Sequence, residues 1–132
     1  MNSVNDSLVY ERSLPAEPVS VGTLRRELAD ALGPLGLGED RLADIALVVS
    51  EALTNAAMHA YISMTPGSMT LVAAVSGGSL RVTVTDEGRG MVPRTDSPGL
   101  GLGLGVMSRL ADALEISSPG GRGTEVSLSF PL

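Results

Sequence analysis

The stretch Ser50-Glu51-Ala52-Leu53-Thr54-Asn55-Ala56-Ala57-Met58-His59-Ala60-Tyr61 carries the most informative pattern in the chain. Glu51, Asn55 and His59 recur at every fourth position, which on an α-helix lines them along one slowly drifting face. Leu53 and Ala57 hold the opposite edge. One explanation is the solvent side of an amphipathic helix. Solvated faces, however, favour Lys, Arg and Glu, and a mid-helix Asn competes for backbone hydrogen bonds, so it costs stability unless it has a role. The other explanation is chemical. A Glu carboxylate can take the proton from a hydroxyl nucleophile. An Asn carbonyl oxygen one turn away is a hard ligand suited to Mg²⁺, which keeps most of its waters. His59 by itself reads as a hydrogen-bonding or packing residue.

Outward from that stretch, the apolar positions Leu42, Ile45, Val49, Leu53 and Ala56-Ala57 extend the helix from about Asp40 to Tyr61. Glu39 and Asp40 stand at its start, where the helix dipole favours carboxylates. An earlier helix is expected over Val19–Leu32 from Val21, Leu24, Leu28 and Leu32, ended by Gly33-Pro34. Ser7–Ser13 reads as an edge strand, closed by Pro15 and Pro18. Beyond a Pro66-Gly67 turn come two β-rich runs, Met69–Val75 and Leu80–Thr85. Ser76-Gly77-Gly78-Ser79 joins them as a hairpin, with glycines where positive φ is wanted. A glycine-rich segment then leads to a helix over about Leu104–Leu114. Glu115–Ser118 and Thr124–Phe130 close the chain as strands around Pro119-Gly120-Gly121. This order predicts an α+β two-layer sandwich: a mixed, mostly antiparallel sheet covered on one face by helices.

Two further segments could carry chemistry. Arg81–Thr85 reads as a strand ending in Asp86-Glu87-Gly88-Arg89-Gly90. Gly88 and Gly90 allow a close backbone approach to a ligand, and Asp86 can accept a hydrogen bond from an exocyclic amine such as that of adenine. The plainer alternative is a strand-terminating turn. Pro98-Gly99-Leu100-Gly101-Leu102-Gly103-Leu104-Gly105-Val106 runs straight into the expected helix, and glycines there expose amides toward an anion. The third glycine of a dinucleotide fingerprint is missing, and no Lys-Ser/Thr follows as in a P-loop; a hinge is the plainer alternative. Gly123-Thr124, opening the last strand, could place one more hydroxyl near a bound base.

Composition narrows the classes. The 132 residues fit one domain, and 43% hydrophobic with 18% charged residues is globular. A net charge of −6 without a Lys/Arg run argues against a nucleic-acid or anionic-membrane surface. Without cysteine, disulfides, thiolate metal sites and Cys nucleophiles are excluded, and the single histidine excludes a multi-His site. The N-terminus shows no basic-then-apolar secretory pattern and no apolar run is long enough to cross a bilayer, so a cytoplasmic protein is expected.

Taken in order, the three segments resemble the N-box and the two glycine boxes of the GHKL (Bergerat-fold, histidine-kinase-like) ATPase and kinase superfamily, over about Val19 to Phe130. Ser50 to Tyr61, and Gly101 to Asp112 (Gly-Leu-Gly-Leu, then Leu-Ala-Asp), are most similar to the anti-sigma-factor serine/threonine kinases of bacteria. The resemblance implies a single ATP-binding domain over residues 1–132 that uses ATP and Mg²⁺. Glu51 would be the general base and Asn55 the Mg²⁺ ligand. Asp86 would bind the adenine amine, with Gly88 and Gly90 beside the base. Gly101 and Gly103 would flank the phosphates, with Leu104 in the same segment, and Thr124 would sit near adenine. Arg94 falls in the segment matching the ATP lid. The family phosphorylates a serine on a small anti-anti-sigma (STAS-type) partner and sequesters a sigma factor, commonly as a homodimer. Gly105 and the short segment Met91–Pro98 depart from the family pattern. An ATP-binding regulatory module without transfer is the alternative, and Glu51 favours the kinase. A sensor histidine kinase domain would need a separate phospho-accepting histidine on a helical hairpin, and the only histidine here lies in the N-box.

Overall fold

The computed structural model describes residues 7–59, 67–88, 111, 113–118 and 123–132. Strand β1 (Ser7–Pro15) leads to helix α1 (Pro18–Leu32), a 3-10 turn (Gly33–Leu35) and helix α2 (Glu39–His59). Strands β2 (Ser68–Ser76), β3 (Ser79–Asp86), β4 (Ala113–Ser117) and β5 (Thr124–Pro131) complete the described elements. The sheet order is β1-β2-β3-β5-β4, and every described pair is antiparallel. The α+β sandwich therefore stands, and the mixed character expected of the sheet does not appear among the described residues. No described helix is long and apolar enough to cross a membrane.

Both helices form where the apolar period of about 3.6 places one stripe inward. Glu17 is extended and Pro18 takes the first helical position, where its missing N–H leaves nothing unpaired. Leu24, Leu28 and Leu32 of α1 are fully buried. The stop expected at Gly33-Pro34 is a 3-10 turn; the chain reverses at Gly36, whose φ of 71° suits a residue without Cβ. In α2, Ile45, Val48, Val49, Ala52, Leu53 and Ala56 face the sheet. Tyr10 donates a 2.8 Å hydrogen bond to Glu27. Arg12 pairs with the same carboxylate, so α1 is tied to the edge strand.

Strand alternation builds the other half of the core. Leu71, Val84, Val126 and Ile116 form one row across four strands, and Leu80 stands opposite Phe130, the chain's only Phe, fully buried. The hairpin glycines have φ of 57° at Gly77 and 81° at Gly78, which matches the twist of the flanking strands. One boundary differs from expectation. Ala113 and Leu114 belong to β4, not to the end of a helix, because Leu114 and Ile116 alternate inward against Leu128 and Val126. The expected helix before them lies almost entirely outside the described residues.

The direction of α2 fixes where its polar stretch ends up. Arg41 donates a 3.2 Å hydrogen bond to the carbonyl of Pro131, which pairs with Ser79 at the start of β3. The fourteen residues from Arg41 to Asn55 rise ~21 Å in a helix, and the seven from Ser79 to Asp86 span ~24 Å in a strand. Asn55 and Asp86 therefore arrive at the same end of the molecule.

Candidate nucleotide site

Asn55 is only 5% exposed, between the buried Ala52 and Ala56. The solvent-face explanation of the stripe therefore fails at its centre. Its Nδ2 is buried with no hydrogen-bond partner among the described residues. A buried amide left unpaired costs ~1–3 kcal/mol, so this position calls for a polar partner that the described residues do not supply. Glu51, one turn earlier, is half-buried, while Thr54, next to Asn55 in the chain, is exposed. The His59 backbone continues the helix; its side chain lies outside the described residues.

The sheet supplies the second half. Asp86 is the last residue of β3 and continues the inward series Leu80, Val82, Val84, so its side chain lies on the helix-covered face, 7% exposed. Its Oδ1 accepts the Gly88 amide at 2.9 Å. Burial pushes the Asp86 carboxyl above its ordinary range, while hydrogen bonds from the Gly88 and Thr124 amides, which favour the ionised form, pull it back. Thr124, the register partner of Asp86, is buried as well.

A close backbone approach holds this corner together. The Gly123 amide donates to the Gly88 carbonyl at 2.8 Å. Gly123 has φ 68°, and a Cβ there would overlap the Asp86 carbonyl oxygen and come within 3.1 Å of Glu87 Cα. In the sequence Gly123 reads only as the residue before Thr124. Nothing local distinguishes a glycine needed for a long-range approach from one needed for a turn.

Of the residues expected at the site, Glu51, Asn55, Asp86, Gly88 and Thr124 are described, and the fold brings the helix and sheet members to one end. Gly90, Arg94, Gly101, Gly103 and Leu104 lie outside the described residues. The residues present fit a nucleotide and its cation. The amide of Asn55 can rotate to present oxygen or nitrogen at the same place without a change of volume, so its unpaired end can meet a cation or a phosphate. No group of three or more acidic or imidazole side chains able to hold a metal occurs among the described residues. A Mg²⁺ shared with substrate phosphates needs only one or two protein ligands.

The chain is similar to known proteins over most of its length. Residues 14–130 match the histidine kinase-like ATPase domain family. The chain is 32% identical to the serine-protein kinase RsbW of Bacillus velezensis, covering 84% of this chain and 79% of that one. It is 34% identical to an anti-sigma F factor of a Thermoanaerobacter species, covering 68% and 70%. Among solved structures, the RsbU and RsbW domains of a Mycobacterium tuberculosis protein superpose with a TM-score of 0.74 at 27% identity, over 93% of this chain and 31% of that longer one. With a helix-borne Glu and Asn at the same end of the molecule as a buried strand-end Asp, these matches place the chain in the histidine kinase-like ATPase family, similar to the serine-protein kinases called RsbW.

Proposed function

We propose that this chain is an ATP-dependent serine/threonine protein kinase and anti-sigma factor, which phosphorylates a serine on an anti-anti-sigma (STAS-type) partner and sequesters a sigma factor. The observation that carries the site is Asn55: a buried side chain whose Nδ2 has no partner among the described residues, at the end of the molecule where Asp86 closes the sheet. In this reading Asn55 holds Mg²⁺, which when bound neutralises charge on the triphosphate. Glu51, half-buried and so reachable by a protein substrate, takes the proton of the partner's serine hydroxyl. Asp86 accepts from the exocyclic amine of adenine. Guanine carries an acceptor at that position, which would face the carboxylate unfavourably. Gly88 and Gly90 lie beside the base, Thr124 supplies a hydroxyl near it, and Gly101, Gly103 and Leu104 belong to the phosphate side. One domain over residues 1–132, a cytoplasmic setting and a homodimer belong to the same reading.

The test is to purify the chain with its native partners and add Mg²⁺-ATP. Phosphoserine on a co-purified STAS-type protein, with ADP formed in equal amount, is the expected result. ATP binding without phosphoserine on any bound partner would reduce the chain to a nucleotide-binding regulator.

A further inference from the structure

Ser118 and Gly123, the described residues on either side of the β4–β5 connection, make a contact that neither strand pairing nor core packing requires. Ser118, just past the end of β4, donates its hydroxyl to the carbonyl of Gly123 at 2.6 Å. Gly123 in turn donates its amide to the Gly88 carbonyl at 2.8 Å, and Gly88 donates its amide to Asp86 Oδ1 at 2.9 Å. Three hydrogen bonds thus run in series from a half-buried serine on the edge hairpin to the carboxylate at the end of β3. The next amide after Gly123, that of Thr124, also donates to Asp86.

Gly123 cannot be replaced in this series by a residue with a side chain. Its φ of 68° lies in the left-handed region, and a Cβ would meet backbone atoms of Asp86 and Glu87, which cannot turn away as a side chain could. Any accommodation must move the segment that carries Asp86 and Gly88.

We infer that Ser118 and Gly123 are positioning residues for base recognition: Ser118 fixes the Gly123 peptide, and Gly123 fixes the Gly88 turn that aims the Asp86 carboxylate. This rests on the reading that Asp86 accepts the adenine amine. A site that discriminates by hydrogen bonding depends on holding its acceptor in place, so loosening the series should blur adenine against guanine. It should act on KM for ATP more than on kcat, since Glu51 and Asn55 sit on a different element. Losing one hydrogen bond of this kind is worth about three- to tenfold in an equilibrium.

The experiment measures dissociation constants for Mg²⁺-ATP and Mg²⁺-GTP in the wild type and in Ser118→Ala, Ser118→Thr, Gly123→Ala and Asp86→Asn, with thermal midpoints for each. Ser118→Ala should lower the ATP-over-GTP preference about three- to tenfold, Ser118→Thr should restore it, and Gly123→Ala should lower it further. If Gly123→Ala does not fold, the two Ser118 variants decide. A Ser118→Ala protein with a lowered midpoint but the wild-type base preference would overturn the inference while leaving the role of Asp86 intact. An unchanged preference in Asp86→Asn would overturn the reading of Asp86, and the inference with it.

Discussion

At the residue scale, Asn55, whose buried Nδ2 has no partner among the described residues, sets stability against function. Asn55→Leu replaces it with an apolar group of similar size in an apolar neighbourhood. The variant should be more stable than the wild type without nucleotide, by about 1 kcal/mol or more, and should lose the stabilisation that Mg²⁺-ATP gives. Thermal unfolding with and without Mg²⁺-ATP checks both halves; a destabilised variant that still responds to nucleotide would contradict the role. Asp86 gives a pH signature. Burial raises its folded carboxyl above the ordinary 3.8. Below that value the group is protonated in both folded and unfolded chains and no penalty exists. As pH rises through the raised folded value, an ionised carboxylate must be held in a buried place, and stability is lost. Asp86→Asn should therefore gain on the wild type as pH rises through this window, in urea unfolding without nucleotide. In the same window ATP affinity should fall on acidification, because a protonated Asp86 can no longer serve the amine as an ionised acceptor. A stability difference that stays flat with pH would count against the buried ionisation.

At the element scale, the fold rests on the helix stripes and the sheet ladder more than on surface ion pairs. Leu28→Ala on α1 removes a fully buried side chain and should cost ~2–5 kcal/mol. Arg12→Ala breaks the solvent-screened pair with Glu27 and should cost far less than Leu28→Ala. Chemical denaturation of the two variants tests that ranking, and a costlier Arg12→Ala would mean that the tie between β1 and α1 holds the layers together. The elements were also the most legible part of the sequence. Leu24, Leu28 and Leu32 spelled out α1, and Gly77-Gly78 announced the hairpin, because each pattern is a local property of period or φ. The boundary at Ala113 was not legible, since a short Leu-Glu-Ile run fits either period until its partners Leu128 and Val126 are known.

At the scale of the whole molecule, what the sequence could not show was convergence. Asn55 and Asp86 lie far apart in the chain, and the course of α2, anchored by Arg41 at the Pro131 end, carries Asn55 to the end of the molecule where Asp86 stands. Glu51 and Asn55 were readable as a pair because helical spacing is local. That Asn55 is buried, and that Gly123 must be glycine, are long-range facts. The histidine kinase-like family match covers both helices and strands β2 to β4 with nearly all of β5, so it spans the elements that carry Glu51, Asn55 and Asp86. The proposed function requires that this architecture transfer phosphate, with Glu51 as the base, and not only hold a nucleotide. Its most direct test is single-turnover phosphotransfer from Mg²⁺-ATP to the serine of the captured partner, in wild type and Glu51→Gln, with nucleotide affinity measured alongside. Transfer should fall ~10²–10⁴-fold in Glu51→Gln while the affinity for Mg²⁺-ATP stays within about twofold. Transfer at the wild-type rate would contradict the account.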